Sequence, residues 1–224
     1  MQIIFILVEP AVSENIGASA RALKTMGFTE LRLVNPCEHL NTDARKLAHG
    51  SNDILQNARL FDTLDLAIKD CDLIIGTSAK HRRVRNDYYP VTSIQKIISK
   101  KGNTIKQTAV VFGREESGLN NNELQLCDIV SYIPMEITYP SLNLAQAVML
   151  FAWELSKLKL SDFDSSDLRN ENSFKNLKNK VELYLKEIGV DKNEVLYNRI
   201  IERVNFLGED DIHLLHSVLK YIND

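Results

Sequence analysis

The sequence predicts an α/β protein with a mostly parallel sheet, followed by a small module made only of helices. Up to about residue 158, short apolar runs typical of buried strands alternate with stretches of helical periodicity. Around residues 160–167 the chain becomes polar, rich in Ser and Asp and aperiodic, and beyond it only helical spacing remains. We therefore predict three parts, which are an α/β domain (1–159), a linker (160–172) and a helical module (173–224).

Five apolar runs are predicted to be the strands of this sheet. The first is a buried strand and not a signal peptide, because Glu9 ends it and no basic segment precedes it. The last is ended by Pro134, which cannot donate to a sheet ladder. The predicted strands cover residues 3–8, 31–34, 73–76, 109–112 and 129–133.

Helices are predicted between these strands and after the last one. In the first, from about Asn15 to Met26, apolar residues recur every three or four positions, and Gly27 follows as a C-terminal glycine. Ser51 and Thr63 are expected to cap short helices, and Ser141 is expected to cap a long apolar helix. The predicted helices lie within residues 15–26, 39–58, 64–70, 92–99, 141–159, 173–188, 191–206 and 209–222.

Loops at the ends of three strands are expected to form a ligand cleft. Gly113 and Gly118 bracket a tight polar loop, where glycine permits positive φ and the close approach of a ligand. A second loop covers residues 135–140, and the small residues Thr77 to Ala79 follow another strand. The carboxyl ends of parallel strands lie at one edge of a sheet, where open α/β sheets bind ligands. From the residues alone, ordinary strand-to-helix turns remain the alternative.

The first helix carries a second group of candidate residues. Asn15 lies at its entry, and Gly17 and Arg21 are four positions apart and share a face. A glycine is costly near a helix start, so we expect another element to pack closely against Gly17. The alternative for Arg21 is a surface arginine on an amphipathic helix.

A basic run follows Ala79 at the predicted cleft. Five of its six residues are Lys, Arg or His, which suits contacts with phosphate groups, although such runs are often simply solvated. The run reads Lys80, His81, Arg82, Arg83, Val84 and Arg85.

Bulk properties restrict the class of protein further. The net charge is −3, divided into +1 for residues 1–160 (18 basic against 17 acidic) and −4 for residues 161–224 (9 against 13). Any surface that binds a nucleic acid must therefore be a local patch. The three scattered cysteines predict free thiols in a reducing cytoplasm and no zinc site. No apolar run approaches the roughly 20 residues that span a bilayer, so no membrane association is expected.

Several short motifs together resemble one enzyme family. FGREESGL, IPM and SLNLAQA resemble motifs two and three of the TrmH-like branch of the SPOUT methyltransferases, and the Asn15, Gly17 and Arg21 region, NIGASAR, is similar to their motif one. With VEP and TSA in the expected order, the resemblance covers residues 1–158 and is strongest to the TrmJ/LasT-like subgroup. It implies a C-terminal trefoil knot and a homodimer with a shared active site. It also implies transfer of a methyl group from S-adenosylmethionine to a ribose 2′-hydroxyl of RNA, without a metal.

The resemblance also implies residue roles. The catalytic and substrate positions would be Asn15, Arg21, Glu115, Ser141 and Asn143. The methyl donor would be held by Thr77, Ser78, Ala79, Gly113, Ile133, Met135, Pro140, Ser141 and Leu142. RNA would be contacted by Arg21, Lys80, Arg82, Arg83, Arg85 and Arg114. Transfer RNA, methylated at cytidine or uridine, is the subgroup's default substrate, and ribosomal RNA is the next choice.

A non-catalytic protein that binds RNA or a nucleotide is the alternative from another class. Binding of S-adenosylmethionine would distinguish the two hypotheses. A nicotinamide-dinucleotide fold fits less well, because no GxGxxG follows the first strand. The helical module could be a second domain or a partner-binding element.

Overall fold

In the computed structural model, the described residues are 1–80, 87–137, 141–158 and 173–221. Their strands form one seven-stranded sheet with the order β3-β2-β1-β6-β4-β7-β5, and every strand pair is parallel. The strands are β1 (Gln2–Val8), β2 (Leu31–Val34), β3 (Arg59–Phe61), β4 (Leu73–Thr77), β5 (Tyr88–Pro90), β6 (Gln107–Phe112) and β7 (Ile129–Tyr132).

Ten α-helices lie in the described residues. Seven precede residue 159, namely α1 (Ser13–Thr25), α2 (Thr42–Leu47), α3 (Asn52–Gln56), α4 (Leu64–Ile68), α5 (Val91–Lys100), α6 (Asn121–Gln125) and α7 (Leu144–Leu155). The remaining three are α8 (Phe174–Glu187), α9 (Glu194–Val204) and α10 (Glu209–Lys220). The predicted α/β class and the helical C-terminal region are confirmed.

Both faces of the sheet are buried, which explains why its strands are continuous apolar runs. Alternate residues of β1 point to opposite faces, as in any strand. Phe5 belongs to the larger core cluster, with residues of α1, α5 and α7, whereas Ile6 belongs to the smaller cluster, with residues of α4. The central strands β1 and β6 pair along six positions, from Gln2 with Gln107 to Leu7 with Phe112.

A close contact between α1 and α2 confirms the expectation for Gly17. A Cβ atom at this position would lie 2.1 Å from the carbonyl oxygen of Ala44 on α2. The backbone of α2 therefore passes directly over the start of α1. Only a residue without a side chain allows this approach, and the contact helps to fix the helix entry at Asn15.

Helices α8 to α10 pack at the amino edge of the sheet, opposite to the edge where the strands end. Lys175 of α8 donates to the carbonyl of Cys71, which lies just before β4, at 3.0 Å. Lys178 pairs with the buried Asp128 just before β7. The side chains of Phe174 and Leu177 are fully buried in the larger core cluster. These three helices therefore share a hydrophobic core with the sheet.

Two further contacts at this junction involve the segment after α5. The buried amine of Lys101 lies 3.4 Å from the ring centre of Phe174 and donates to the carbonyl of Leu207 at 3.4 Å. The backbone N–H of Asn103 donates to a carboxylate oxygen of Glu209, the first residue of α10, at 3.0 Å. Polar as well as apolar groups thus hold the C-terminal helices in place.

Several local expectations differ from the structure. Strands β3 and β5 and helix α6 have three, three and five residues, and segments this short show little periodicity. Ser51 occupies the N-cap of α3 without making a side-chain cap hydrogen bond, whereas Thr63 caps α4 as predicted. The predicted linker, 160–172, lies outside the described residues, and the division into domains stays a prediction.

All three cysteines have free thiols, and Cys37 is only partly buried. Cys71 and Cys127 are buried, and burial raises the pKa of the Cys71 thiol to about 12. Within the described ranges, no helix is long and apolar enough to cross a membrane. In the same ranges, no cluster of His, Cys, Asp or Glu could hold a metal ion.

Candidate active site

One cavity lies at the carboxyl edge of the sheet, where β4, β6 and β7 end. Eight of the nine residues that the sequence assigned to the methyl donor line it, namely Thr77, Ser78, Ala79, Gly113, Ile133, Met135, Ser141 and Leu142. The ninth, Pro140, lies outside the described residues. Three separate loops, which follow three neighbouring strands, thus meet at one cavity.

The loop after β6 is closed by its own backbone. Arg114 and Gly118 form an antiparallel bridge, in which the Gly118 N–H donates to the Arg114 carbonyl at 2.9 Å. Gly118 has a φ of 67°, which glycine adopts without strain. A Cβ atom at Gly113 would lie 2.1 Å from both the Gly118 carbonyl carbon and the Leu119 nitrogen. We expected positive φ at both glycines, but Gly113 does not have a positive φ. A glycine is needed at position 113 because the loop folds back so closely that a side chain would collide with it.

The inner wall of the cavity is apolar. Phe112 and Phe151 both line it, and their rings meet edge to face with centres 5.4 Å apart. Leu144, Ala147 and Phe151 occur at spacings of three and four along α7, so they present one helix face to the cavity. Our sequence interpretation did not include these residues in the site, although the helical spacing of α7 was a signal for them.

Three predicted catalytic residues form one hydrogen-bonded chain. The Asn15 amide nitrogen donates to Glu115 Oε1 at 3.0 Å, and the Asn143 amide nitrogen donates to Asn15 Oδ1 at 2.8 Å. Glu115 also accepts the backbone N–H groups of Ala11 at 3.0 Å and Val12 at 3.2 Å. The chain joins the loop after β6, the start of α1 and the start of α7.

Glu115 is held in its ionised form. Burial raises the pKa of its carboxyl group, but hydrogen bonds from Asn15 and from the Ala11 and Val12 N–H groups outweigh burial and hold the pKa below its usual range. A carboxylate with a lowered pKa and three donors is a poor proton acceptor at neutral pH. The position of the Glu115 carboxylate instead allows it to hold the Asn15 side chain in one orientation.

The cap of α7 differs from our expectation. Asn143, and not Ser141, is the N-cap residue, and its Oδ1 accepts the Ala145 N–H at 2.8 Å. The Asn143 N–H in turn donates to Gln146 Oε1 at 3.1 Å, which completes a capping box. Ser141 instead lies before the helix and lines the cavity. Asn143 therefore has two structural tasks, because it caps α7 and holds Asn15.

Arg21 lies apart from this chain of hydrogen bonds. Its side chain is exposed on α1, whereas Asn15 on the same helix is buried. Arg21 is not among the described residues that line the cavity. The structure therefore does not bring the predicted catalytic arginine to the methyl-donor site of the same chain.

Apart from Arg21, the predicted RNA-binding residues fall into three groups. Lys80 is exposed and lines the cavity. Arg82, Arg83 and Arg85 lie outside the described residues. Arg114 is directed at two carboxylates, those of Glu9 and Glu123, which our sequence interpretation had not connected with the site.

Known proteins share both the domain and the C-terminal helices. Residues 2–153 match the SpoU rRNA methylase family, and residues 171–224 match the C-terminal domain of the tRNA/rRNA methyltransferase LasT. The uncharacterised tRNA/rRNA methyltransferase LasT of Escherichia coli K12 is 37% identical over 99% of this chain and 97% of its own length.

Two further relatives are named TrmJ. The tRNA (cytidine/uridine-2′-O-)-methyltransferase TrmJ of Pectobacterium atrosepticum is 38% identical over 75% of this chain and 69% of its own length. The crystal structure of TrmJ from Z. mobilis ZM4 superposes with a TM-score of 0.68 at 27% identity, and the match covers 100% of both chains. The family match spans well over half of the sequence, and this chain belongs to the SpoU rRNA methylase family.

Proposed function

We propose that the protein transfers a methyl group from S-adenosylmethionine to a ribose 2′-hydroxyl of tRNA, at cytidine or uridine. The observation that carries this proposal is the chain of hydrogen bonds from Glu115 through Asn15 to Asn143 beside a cavity at the ends of three strands. Relatives named as tRNA 2′-O-methyltransferases support the reaction class and the substrate.

The cavity has the mixed lining that such a donor requires. Phe112, Phe151 and Leu144 supply apolar surface for a nucleoside. The backbone of Thr77 to Ala79 and of the loop after β6 supplies polar groups around the same space. The Thr77 hydroxyl donates to the Val111 carbonyl at 3.0 Å, so it is already used to join two strands. We assign Pro140 to this site as well, from its place beside Ser141.

S-Adenosylmethionine, when bound, supplies a methyl group that is already activated by its sulfonium centre. The protein must therefore align the ribose and help to remove its proton. Asn15 is fixed by Glu115 and Asn143 on either side, so it is oriented before RNA binds. We assign to Glu115 the role of an ionised hydrogen-bond acceptor that orients Asn15, and not the role of the general base. We assign ribose and phosphate binding to Arg21 and the basic run that begins at Lys80.

A homodimer would complete this site. The exposed Arg21 is then free to act on RNA bound at the cavity of a second copy. Leu150 and Trp153, three positions apart on α7, are 38% and 53% exposed and give that helix an apolar outer face. We further propose that the chain forms the trefoil knot of its family and acts in the cytoplasm.

The test combines donor binding with RNA mapping. Calorimetry should show micromolar binding of S-adenosylmethionine and no binding of NAD. Nucleoside mass spectrometry of tRNA and rRNA from cells without the gene should show loss of one 2′-O-methylated nucleoside in tRNA. Loss of a 2′-O-methylated nucleoside from rRNA would instead identify ribosomal RNA as the substrate. Absence of donor binding together with unchanged methylation would support a non-catalytic RNA-binding protein instead.

A further inference from the structure

Arg114 lies in the loop that lines the cavity, between Gly113 and Glu115, and carboxylates surround its guanidinium group. Its Nε donates to Glu9 Oε2 at 2.8 Å, and its Nη1 donates to Glu123 Oε2 at 3.0 Å. Its Nη2 lies 2.7 Å from Glu9 Oε1 and 3.0 Å from Glu123 Oε1. One planar guanidinium thus makes two bidentate ion pairs, an arrangement that lysine cannot reproduce.

The two carboxylates, those of Glu9 and Glu123, belong to residues that other contacts hold in place. Glu123 lies on α6 and also accepts the Asn120 N–H at 2.7 Å, as part of the capping box of that helix. Glu9 directly follows β1 and has a φ of 47°, a conformation that non-glycine residues adopt only when their surroundings hold them there. Its N–H donates to the Val34 carbonyl at 2.8 Å. The hydrogen bond from Arg114 lowers the pKa of the Glu9 carboxyl group, which therefore stays ionised.

Two connections in opposite directions now join the same pair of loops. Arg114, in the loop after β6, donates to Glu9 in the loop after β1. The next residue, Glu115, accepts the N–H groups of Ala11 and Val12 from the loop after β1. Movement of either loop would break both connections. The position of Asn15, which bonds to Glu115, therefore depends on the Arg114 contacts.

Charge also argues against an RNA contact at this position. One arginine between two carboxylates forms a group with a net charge of −1, which does not attract phosphate. The Arg114 side chain is 24% exposed, and each of its three nitrogen atoms already donates to, or lies within 3.0 Å of, a carboxylate oxygen. A phosphate could bind only if one of these ion pairs broke.

We propose that Arg114 is a positioning residue and not an RNA ligand. With Glu9 and Glu123 it forms a clamp that holds the loop after β6 against the start of α1, and so sets the position of Glu115 and Asn15. The effect of the clamp on turnover rests on the proposed methyl transfer. Its effect on the two loops does not depend on that function.

Hydrogen exchange of the ligand-free protein tests the structural part. In Arg114→Gln we expect the Ala11, Val12 and Gly118 amides, all hydrogen-bonded in this region, to exchange at least about tenfold faster. Amides of the central strands should be unchanged. Arg199→Gln, an exposed arginine on α9, is the matched control and should alter none of them. Unchanged exchange at the three loop amides in Arg114→Gln would overturn the proposal.

Kinetics and salt dependence test the positioning role. Arg114→Gln should lower kcat about 10- to 100-fold, because small misplacements of an active-site group have effects of that size. Its slope of log Kd for RNA against log salt should match the wild type. Lys80→Gln, at the exposed cavity rim, should change that slope by about one, as expected for one lost phosphate contact. A change of about one in Arg114→Gln itself would identify an RNA ligand and overturn the proposal.

Glu9→Gln separates the clamp from charge effects. This variant removes a negative charge. If charge alone mattered, RNA binding should become stronger and kcat should not fall. The clamp instead predicts a lower kcat. The double variant with Arg114→Gln should be no slower than the slower single variant, because both remove one connection. Fully additive losses would contradict the clamp. If the wild type methylates no RNA, the proposed function fails, and hydrogen exchange still decides the structural part.

Discussion

The carboxyl edge of the sheet and its amino edge both carry networks of charged side chains, but the networks differ in exposure and in partners. At the carboxyl edge, Arg114 and Glu115 are partly exposed and surround a cavity. At the amino edge, Asp128 and Lys101 are 2% and 1% exposed and lie beneath the C-terminal helices. Polar groups position a site at the first edge and hold the helices at the second.

This difference has an energetic consequence. A partly exposed ion pair contributes little to stability, so its loss should mainly affect the alignment of the site. A buried charge that loses its partner is strongly destabilising. Variants at the amino edge should therefore change folding, and variants at the carboxyl edge should change ligand binding and turnover.

The largest effect is expected for Asp128→Ala. Asp128 pairs with Lys178 and accepts the Ile74 N–H at 2.7 Å, so its removal leaves a cation and a buried donor without this partner. The free energy of unfolding should fall by about 3–5 kcal/mol, measured by urea denaturation. Affinity for S-adenosylmethionine, measured on the folded protein, should change less than about twofold because the cavity lies at the other edge.

The control for this variant is Asp191→Ala, which removes an exposed aspartate between α8 and α9. Its effect should stay within about 0.5 kcal/mol. A loss below about 1 kcal/mol for Asp128→Ala would contradict a buried charge network at the amino edge.

Lys101→Met should give the next largest effect, and it should depend on pH. Burial lowers the pKa of Lys101 to about 8, against about 10.4 in an unfolded chain. Between these values the unfolded state binds more protons, so the wild type gains stability as pH rises. At pH 7 the buried charge costs stability, and we expect Lys101→Met to be more stable by about 1–3 kcal/mol.

Denaturant titrations at several pH values check this prediction. The advantage of Lys101→Met should shrink from pH 8 to pH 10, because the wild type loses its buried charge over that range. Asp128 raises and Lys178 lowers the same pKa, so both must stay intact in the comparison. Lys106→Met, close by in the sequence, is the control for removal of a lysine from this segment. An advantage that stays constant with pH would refute a buried, titrating amine.

Gly113→Ala tests the carboxyl edge. Its Cβ atom would meet the backbone of Gly118 and Leu119 at 2.1 Å, so the loop after β6 must shift. We expect S-adenosylmethionine affinity to fall at least about tenfold, which corresponds to about 1.4 kcal/mol, while the protein stays folded. Gly208→Ala is the matched control, because its nearest neighbour, the Lys100 carbonyl oxygen, is 3.5 Å away. Calorimetry showing equal affinities for Gly113→Ala and wild type would refute this role of the loop.

Much of the fold could be predicted because strand formation here is a local property. The run at residues 109–112 is apolar throughout, and the strand that contains it, β6, is buried on both faces. The cavity could be predicted for a related reason, since loops after parallel strands meet at one edge. Thr77 and Gly113 are far apart in sequence, but each directly follows or ends a strand.

Partners distant in sequence could not be predicted in this way. The family resemblance assigned Arg114 to RNA, whereas its pairing with Glu9 depends on β1 lying beside β6. The attachment of Lys178 to Asp128 likewise requires the packing of α8 on the sheet. The periodicity of the sequence gives no information about such long-range pairings. Charge alone does not distinguish a ligand-binding arginine from one held by two carboxylates.

The smallest effects on stability are expected at the start of α7, where our capping prediction was wrong although the sequence contained the correct signal. Asn143 followed three residues later by Gln146 is a capping-box pattern, whereas the third residue after Ser141 is Leu144. Asn143→Ala should lower the free energy of unfolding by about 1 kcal/mol, and Ser141→Ala should change it by less than about 0.5 kcal/mol. Urea denaturation measures both.

A further variant, Asn143→Asp, separates capping from positioning. Asn143→Ala also removes the donor to Asn15 Oδ1, so kcat should fall even at temperatures where the protein is fully folded. Asn143→Asp keeps a cap acceptor but replaces that donor with a negatively charged oxygen beside Asn15. It should therefore restore the stability of α7 without restoring kcat, because a carboxylate oxygen cannot donate to Asn15 Oδ1. Recovery of both properties in Asn143→Asp would show that Asn143 contributes only as a helix cap.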